Sequence, residues 1–405
     1  MDKNFEIEGY EIKSKFLLNP FLWFSVAWIA VLVLHSFNFS LAYPKTSDNM
    51  RAFIITIVVV SALLAVLFHF LFLRKLKKVH INDRPLWIPI IFAYIVLIAE
   101  IVYSKQLPLL SVFTHATTYK DFGIPLVSGF MYSFSIFLSL ICSTKLIYGK
   151  SHKWLNFFAL LLSYGRFVLV YSRGGLIICV LVTMLIFFSR SKFSWWTIPV
   201  ILVLGVVMLY LFNVLGNIRM GYAAGDSSYL LRISQFNPKY RQSLSNFSWG
   251  IVYMDSPLGN LLWNEAHIKP LNDSTGLWSM MLTSVLTERL YPLYTPDLQL
   301  AIPNLTVSTM FAGGYKYMGY TGMYIIFFEM VGIILLACLL CKKSDYALIG
   351  AASMLTILAA MSFFDNMFYS SGNSFALIYL VLFTVFFYKK QKPAPIEGKE
   401  LVNNE

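Results

Sequence analysis

Arg166 and Arg173 interrupt an otherwise apolar run, "GRFVLVYSRGGLI" (165–177), that contains no acid. A guanidinium deep in a bilayer costs at least ~2.5–3.5 kcal/mol on insertion scales, and intramembrane cations commonly face an interior cavity on a substrate path. Arginine stays charged at any depth and grips phosphate through two parallel N–H bonds. Arginines without opposing acids therefore suggest a polyanionic ligand. A second constellation is "WNEAHIKP" (263–270), where Glu265 and His267 lie two residues apart beside Trp263 and Lys269. An imidazole has the ordinary pKa of a base near neutrality. His267 is the one histidine between 216 and 320, and Asp255 and Glu288 are further acids in that segment. His35 and His69 fall in apolar runs with no acid beside them, and His80 and His152 fall among lysines. His115, in "THATTYKDFG", could line the same cavity.

The elements that must hold these residues are membrane helices. The 405 residues are 58% hydrophobic and 13% charged, whereas a soluble domain carries about 25% charge. Apolar runs near 20–43, 51–73, 85–103, 125–147, 154–171, 174–189, 195–215, 321–341, 345–363 and 373–388 read as ten spans, each near the ~20 residues a crossing needs. With the N-terminus inside, the inner segments hold 19 of the 32 Lys and Arg, as the positive-inside rule requires. The net charge of +12 thus sits in short loops, which argues against a nucleic-acid partner. The first nineteen residues are polar and acidic, so no cleavable signal peptide is expected. Cys142, Cys179, Cys338 and Cys341 all lie in apolar runs and read as packing residues, since nothing completes a metal or redox site around Cys338-x-x-Cys341.

Residues 154–189 are nearly unbroken apolar sequence, ~54 Å as helix against a hydrocarbon core of ~30 Å. The run must fold back, and Ser172-Arg173-Gly174-Gly175 is its turn-like stretch. Seven residues apart, Arg166 and Arg173 would share a face on one helix. The chain then divides into spans 1–7 (1–215), a large outer segment (216–320) and spans 8–10 with a tail (321–405). A loop longer than ~15 residues is usually functional or disordered, and this one is too aromatic for disorder. Its centre, "NDSTGLWSMMLTSVLTERLY", reads as one capped interfacial helix.

Four stretches, "YSRGGLI" (171–177), "LGNIRMG" (215–221), "YMDSPLGNL" (253–261) and "NLTVSTMFAGGYKYMGYTGMY" (304–324), occur in the order seen in bacterial oligosaccharide repeat-unit polymerases, and the chain resembles these Wzy-type O-antigen and capsule polymerases. The resemblance covers about 40% of the chain, together with the layout of many spans around one large outer loop. It implies an all-α polytopic membrane protein of about ten transmembrane helices with a large periplasmic loop and a GT-C-like glycosyltransferase architecture. It implies a multi-pass protein of the bacterial inner membrane, working at the periplasmic face. Its substrate would be an undecaprenyl-diphosphate-linked glycan, its surroundings membrane lipid, and its partner a chain-length regulator. Matched by motif, Arg173 and Arg219 would neutralise the departing diphosphate, with His267 and Glu265 as catalytic groups of the loop. Arg166, Arg232, Tyr253, Asn260 and Arg289 would bind substrate. An arginine pair supplies charge stabilisation without a metal, so neither metal nor cofactor is expected. An O-antigen ligase would use the same donor, a flippase would need no hundred-residue outer loop, and a membrane acyltransferase would want a His–Asp constellation near one membrane face.

Overall fold

The computed structural model of the chain describes residues 6–76, 78–82, 86–105, 107–109, 122–170, 172–192 and 194–387; His115 lies outside them. All ten apolar runs are helical. In chain order they are α1 (Pro20–Ser36), α2 (Asp48–Phe68, extended by a π turn His69–Leu73), α3 (Trp87–Ser104), α4 (Val127–Tyr148), α5 (Lys153–Leu169), α6 (Arg173–Arg190) and α7 (Thr197–Arg219). The segment after α7 folds into α8 (Ser228–Ile233), α9 (Pro238–Leu244), α10 (Ser248–His267), α11 (Ser274–Met280) and α12 (Ser284–Leu290). The last three long helices are α13 (Ala312–Cys341), α14 (Asp345–Ala360) and α15 (Ser371–Leu382). Five stretches, 48–73, 87–104, 127–148, 312–341 and 345–363, are long and apolar enough to cross a membrane, and 20–36, 174–190, 205–218 and 371–385 are shorter apolar helices. The protein is therefore a mostly helical, membrane-embedded chain.

Local chemistry sets several helix starts. Asn19 accepts the Leu22 amide ahead of Pro20, Ser47 accepts from Met50, and Ser344 accepts from Ala347. Such caps satisfy amides that the helix leaves free. Two departures from the sequence reading concern local structure. Residues Glu6–Glu11 and Lys78–Asn82 form β1 and β2, a two-stranded antiparallel sheet with Ile7 opposite Ile81. The expected helix across "NDSTGLWSMMLTSVLTERLY" is two short ones, α11 and α12, broken at 281–283. Its expected cap is present: Asp273 accepts from the Thr275 and Gly276 amides.

The centre of the bundle is α14, whose Gly350, Ala351, Ala352 and Ser353 let neighbours approach and whose faces are buried all round. It packs against α1, α4, α6 and α13. Small residues at such contacts are what lipid-embedded helices use, because apolar burial alone gives no preference between helix and lipid. Aromatics fasten α1 to its neighbours: Trp28 donates to Ser362 Oγ at 2.9 Å, and its ring lies 5.2 Å from that of Phe311.

Helix α13 is two helices joined at Met318–Gly319, where Gly319 takes φ 59° and ψ −142°. Only glycine enters that region without strain. The bend presses Gly314 against Gly322, so that a Cβ on Gly322 would collide with the Gly314 carbonyl. Backbone cannot yield as a flexible side chain can. Gly322→Ala is expected to lower stability by ~1–3 kcal/mol or more, read as a drop in melting temperature by fluorescence-detected gel filtration. An unchanged melting curve would mean that the two glycines are not in contact.

Candidate active site

Helix α10 organises the candidate site. It carries the third motif, yet it is no surface loop: Trp249 to Leu262 is largely buried, against α1 on one side and α7 on another. Pro257 sits inside it and has no N–H to offer Tyr253. The Ser256 hydroxyl donates to the Tyr253 carbonyl instead, at 3.0 Å. Two asparagines one turn apart staple the following segment to the helix. Asn260 donates to the carbonyls of Leu305 and Val307, both at 2.8 Å, and accepts from the Ala301 amide. Asn264 donates to Gln299 O and accepts from Gln299 N. The side chain of Asn260 is fully buried and fully used. That makes it a brace rather than the sugar-binding group expected of it.

The segment between α1 and α2 lies along the same helix. His35 Nδ1 meets Asp255 Oδ1 at 2.7 Å, the Tyr43 ring occupies the space a side chain at Gly259 would need, and Ser47 donates to Glu265 Oε1. His35 thus has an acidic partner after all, 220 positions away. Its Nε2 donates to the Pro44 carbonyl at 3.0 Å, so both ring nitrogens are engaged and the pair is buried. With both ring nitrogens engaged, His35 has none free for a substrate, whereas Asp255 Oδ2 is buried without a hydrogen-bond partner among the described residues.

Glu265 is the junction of the site. Its Oε1 accepts from Ser47 of the α2 cap and from Tyr320 just beyond the α13 bend, and Tyr315 donates to its main-chain carbonyl at 3.3 Å. The same bend frees the carbonyls of Lys316 and Tyr317, which accept from Leu271 and Asp273 at 2.9 and 3.0 Å. Beside this junction lies a cleft of about 330 Å³ whose wall includes Lys269, Asp297, Tyr315 and Lys316. His267 points elsewhere. It is exposed, stacks on Trp263 with ring centroids 3.9 Å apart, and bonds the Trp263 carbonyl through Nδ1 at 2.8 Å. A carbonyl only accepts, so Nδ1 carries the proton and Nε2 presents its lone pair to solvent. Glu265 and His267 therefore do not form one acid–base pair. The first is held by hydroxyls, and the second is oriented and open.

The arginines divide into distinct environments. Arg166 on α5 makes a two-pronged ion pair with Glu100 of α3, with Nη2 3.2 Å from Oε1 and Nη1 bonded to Oε2. Both side chains are buried, so Arg166 has the opposing acid that its own stretch lacks. Arg173 does not share its face. Helix α5 ends at Leu169 and Arg173 opens α6, so the two arginines lie on different helices. Ser172 makes no side-chain cap there. The first-turn amides of α6 and the Arg173 position thus face the same end of the bundle as a ready anion-binding terminus. A Cβ on Gly175 would lie 2.5 Å from the Phe167 ring and 2.9 Å from the Tyr132 hydroxyl, which fixes the angle of the turn. Arg219 is the last residue of α7; the side chains of Arg173 and Arg219 lie outside the described set. Arg232 and Arg289 are exposed at the ends of α8 and α12, and Tyr253 is half-buried between Phe212 and Phe364.

Sequence reasoning missed Glu100, the partner of Arg166. A lone acid within an apolar run was its signal, because such residues almost always pair. Among the described residues no cluster of His, Cys, Asp and Glu could hold a metal ion. No family model matches the chain, and neither a curated protein nor a solved structure does.

Proposed function

We propose that the chain is a membrane glycosyltransferase that polymerises lipid-diphosphate-linked oligosaccharide repeat units at the outer face of the bacterial inner membrane. The observation that carries this reading is that three of the four motif stretches, 215–221, 253–261 and 304–324, meet on α10. Asn217 of the second accepts from the Trp249 indole at 2.7 Å, at the start of α10. Asn260 of the third holds Leu305 and Val307 of the fourth. The α6 head of the first packs on Tyr132, which also fills the space at Gly372, and the adjoining Ser371 bonds Ser284 of α12 at 2.9 Å. Stretches this far apart in sequence have no local reason to meet on one helix, whereas a shared site gives them one.

In this scheme the lipid diphosphate of the growing chain lies at the α6 terminus, with Arg173 and Arg219. The incoming unit lies beside α10, against the cleft that carries Lys269 and Lys316. The acceptor hydroxyl attacks the anomeric carbon, and the bond from that carbon to the phosphate oxygen breaks. The electron pair leaves with the lipid diphosphate, whose growing charge the arginines stabilise. The hydroxyl proton passes to His267 Nε2. Glu265, held by Ser47 and Tyr320, fixes α10 against the α2 cap and the α13 bend.

Purified protein in nanodiscs, given a synthetic lipid-linked repeat unit, tests the scheme. His267→Ala is expected to slow turnover ~10²–10⁴-fold without weakening lipid-diphosphate binding, whereas Arg219→Ala weakens both. A fully active His267→Ala would move the base to Glu265. Turnover is expected to survive EDTA, since the charge sink is guanidinium. Activity lost on chelation and restored by Mg²⁺ would sink the metal-free scheme. Absence of any ladder of products would sink the polymerase reading itself.

A further inference from the structure

A second cleft, of about 560 Å³, opens between α8 and α9 and is lined by Arg232, Arg241, Leu41, Leu231, Phe236 and Pro238 among others. Both arginines are exposed, and neither guanidinium has a hydrogen bond or ion pair among the described residues. No acid lines the cleft. Asp226, the nearest acid in sequence, accepts from the Ser228 amide at 2.9 Å. Two guanidiniums on one depression repel each other unless an anion sits between them. The apolar wall below them would suit a ligand that is charged at one end and greasy at the other.

The walls are pinned before any ligand arrives. The tail of α1 is stitched to the cleft: Ser40 Oγ donates to Ser234 O at 2.7 Å, Leu41 N to Gln235 O at 3.2 Å, and Asn237 N to Phe39 O at 2.8 Å. Gln235, between the two arginines, holds φ at 47°, a left-handed conformation that a non-glycine residue keeps only when its surroundings fix it. The position is as informative as the composition. The cleft lies where two apolar helices end. Phe37 and Leu41 at the end of α1 are 49% and 54% exposed, and α7 shows a run of exposed apolar side chains as far as Ile218. An exposed apolar belt marks the depth of lipid chains, and the first polar level beyond it is the depth of lipid headgroups.

We propose that this cleft binds the phosphate of a lipid headgroup, forked by Arg232 and Arg241, with the first carbons of the lipid against Leu41, Leu231 and Phe236. The inference does not rest on the transferase reading, because it requires binding and no chemistry. Two lipids carry the same chemistry to that depth: an anionic phospholipid of the bilayer, and a polyprenyl diphosphate.

Native mass spectrometry of the full chain, released from detergent and titrated with phosphatidylglycerol, phosphatidylcholine or undecaprenyl diphosphate, separates the sources. Wild type is expected to bind at least one of the two anionic lipids about tenfold more tightly than phosphatidylcholine. The double variant Arg232→Gln/Arg241→Gln is expected to hold one anionic lipid fewer than wild type, each single variant to hold it more weakly, and Arg51→Gln to bind as wild type. Melting curves should be unchanged throughout, since all three side chains are exposed. Preference for phosphatidylglycerol assigns the site to bulk lipid, and preference for undecaprenyl diphosphate assigns it to the lipid-linked glycan. Anionic-lipid binding that is equal in wild type and double variant, or no preference over phosphatidylcholine, would overturn the proposal.

Discussion

Arg173→Ala is expected to abolish polymerisation while the protein is made and folds normally. The residue heads α6, where the helix presents its positive end. A cation there is mildly unfavourable, by ~0.3–1 kcal/mol at an exposed terminus, so its removal should cost no stability. That separates two explanations. A residue placed for folding would lower the melting temperature on removal, and one placed for an anion would lower turnover alone. Losing one preorganised donor to a developing oxyanion costs about 10²–10³ in rate. Loss of this magnitude leaves single repeat units in place of long chains on a gel of surface polysaccharide. Arg173→Lys is expected to fail almost as badly, because an ammonium offers no planar fork. Wild-type chain length in either variant would reduce Arg173 to a side chain that reaches for the lipid headgroups and would remove the diphosphate from the α6 terminus.

Breaking the Glu100–Arg166 pair is expected to have the largest effect on stability. Both partners are buried, and their two-pronged contact ties α3 to α5. Removing one partner strands the other as an uncompensated charge, at a cost of ~3–5 kcal/mol. That is a large share of the ~5–15 kcal/mol by which domains are stable. Glu100→Ala and Arg166→Ala should each lower the melting temperature steeply. Replacing both at once, with Glu100→Leu and Arg166→Met, should recover most of the loss, since matched apolar residues need no neutralisation. Recovery in the double variant identifies the pair as a brace. If Arg166→Ala melted like wild type and lost activity alone, Arg166 would belong to the substrate, as its sequence context implied. An anion-binding role would also require Glu100 to release it.

The sequence by itself determined where the helices lie. The ten apolar runs are all helical, and five of the stretches they mark are long and apolar enough to cross a membrane, which imposes one simple composition on whatever crosses it. Residue types fixed local starts, as with Asn19 before Pro20, Ser47 before Asp48 and Asp273 before α11. The segment 216–320 was legible as a folded region through its aromatics. Its central helix was not, since α10 is buried on most sides and so lacks the two-faced pattern that periodicity detects. Tertiary structure alone decided the partners. Arg166 finds Glu100 across 66 positions, His35 finds Asp255 across 220, and Glu265 gathers Ser47 and Tyr320 from either side of the chain. It also separated what sequence spacing had joined. Arg166 and Arg173 were placed on one face, and the break between α5 and α6 put them on two helices. Glu265 and His267 stand two positions apart in sequence, and the fold gives the first hydroxyl partners and leaves the second exposed on Trp263. Local structure follows from the nearest few residues, whose caps and periodicities can be read directly. A buried charge takes its partner from whichever helix packs beside it, and that choice belongs to the fold as a whole.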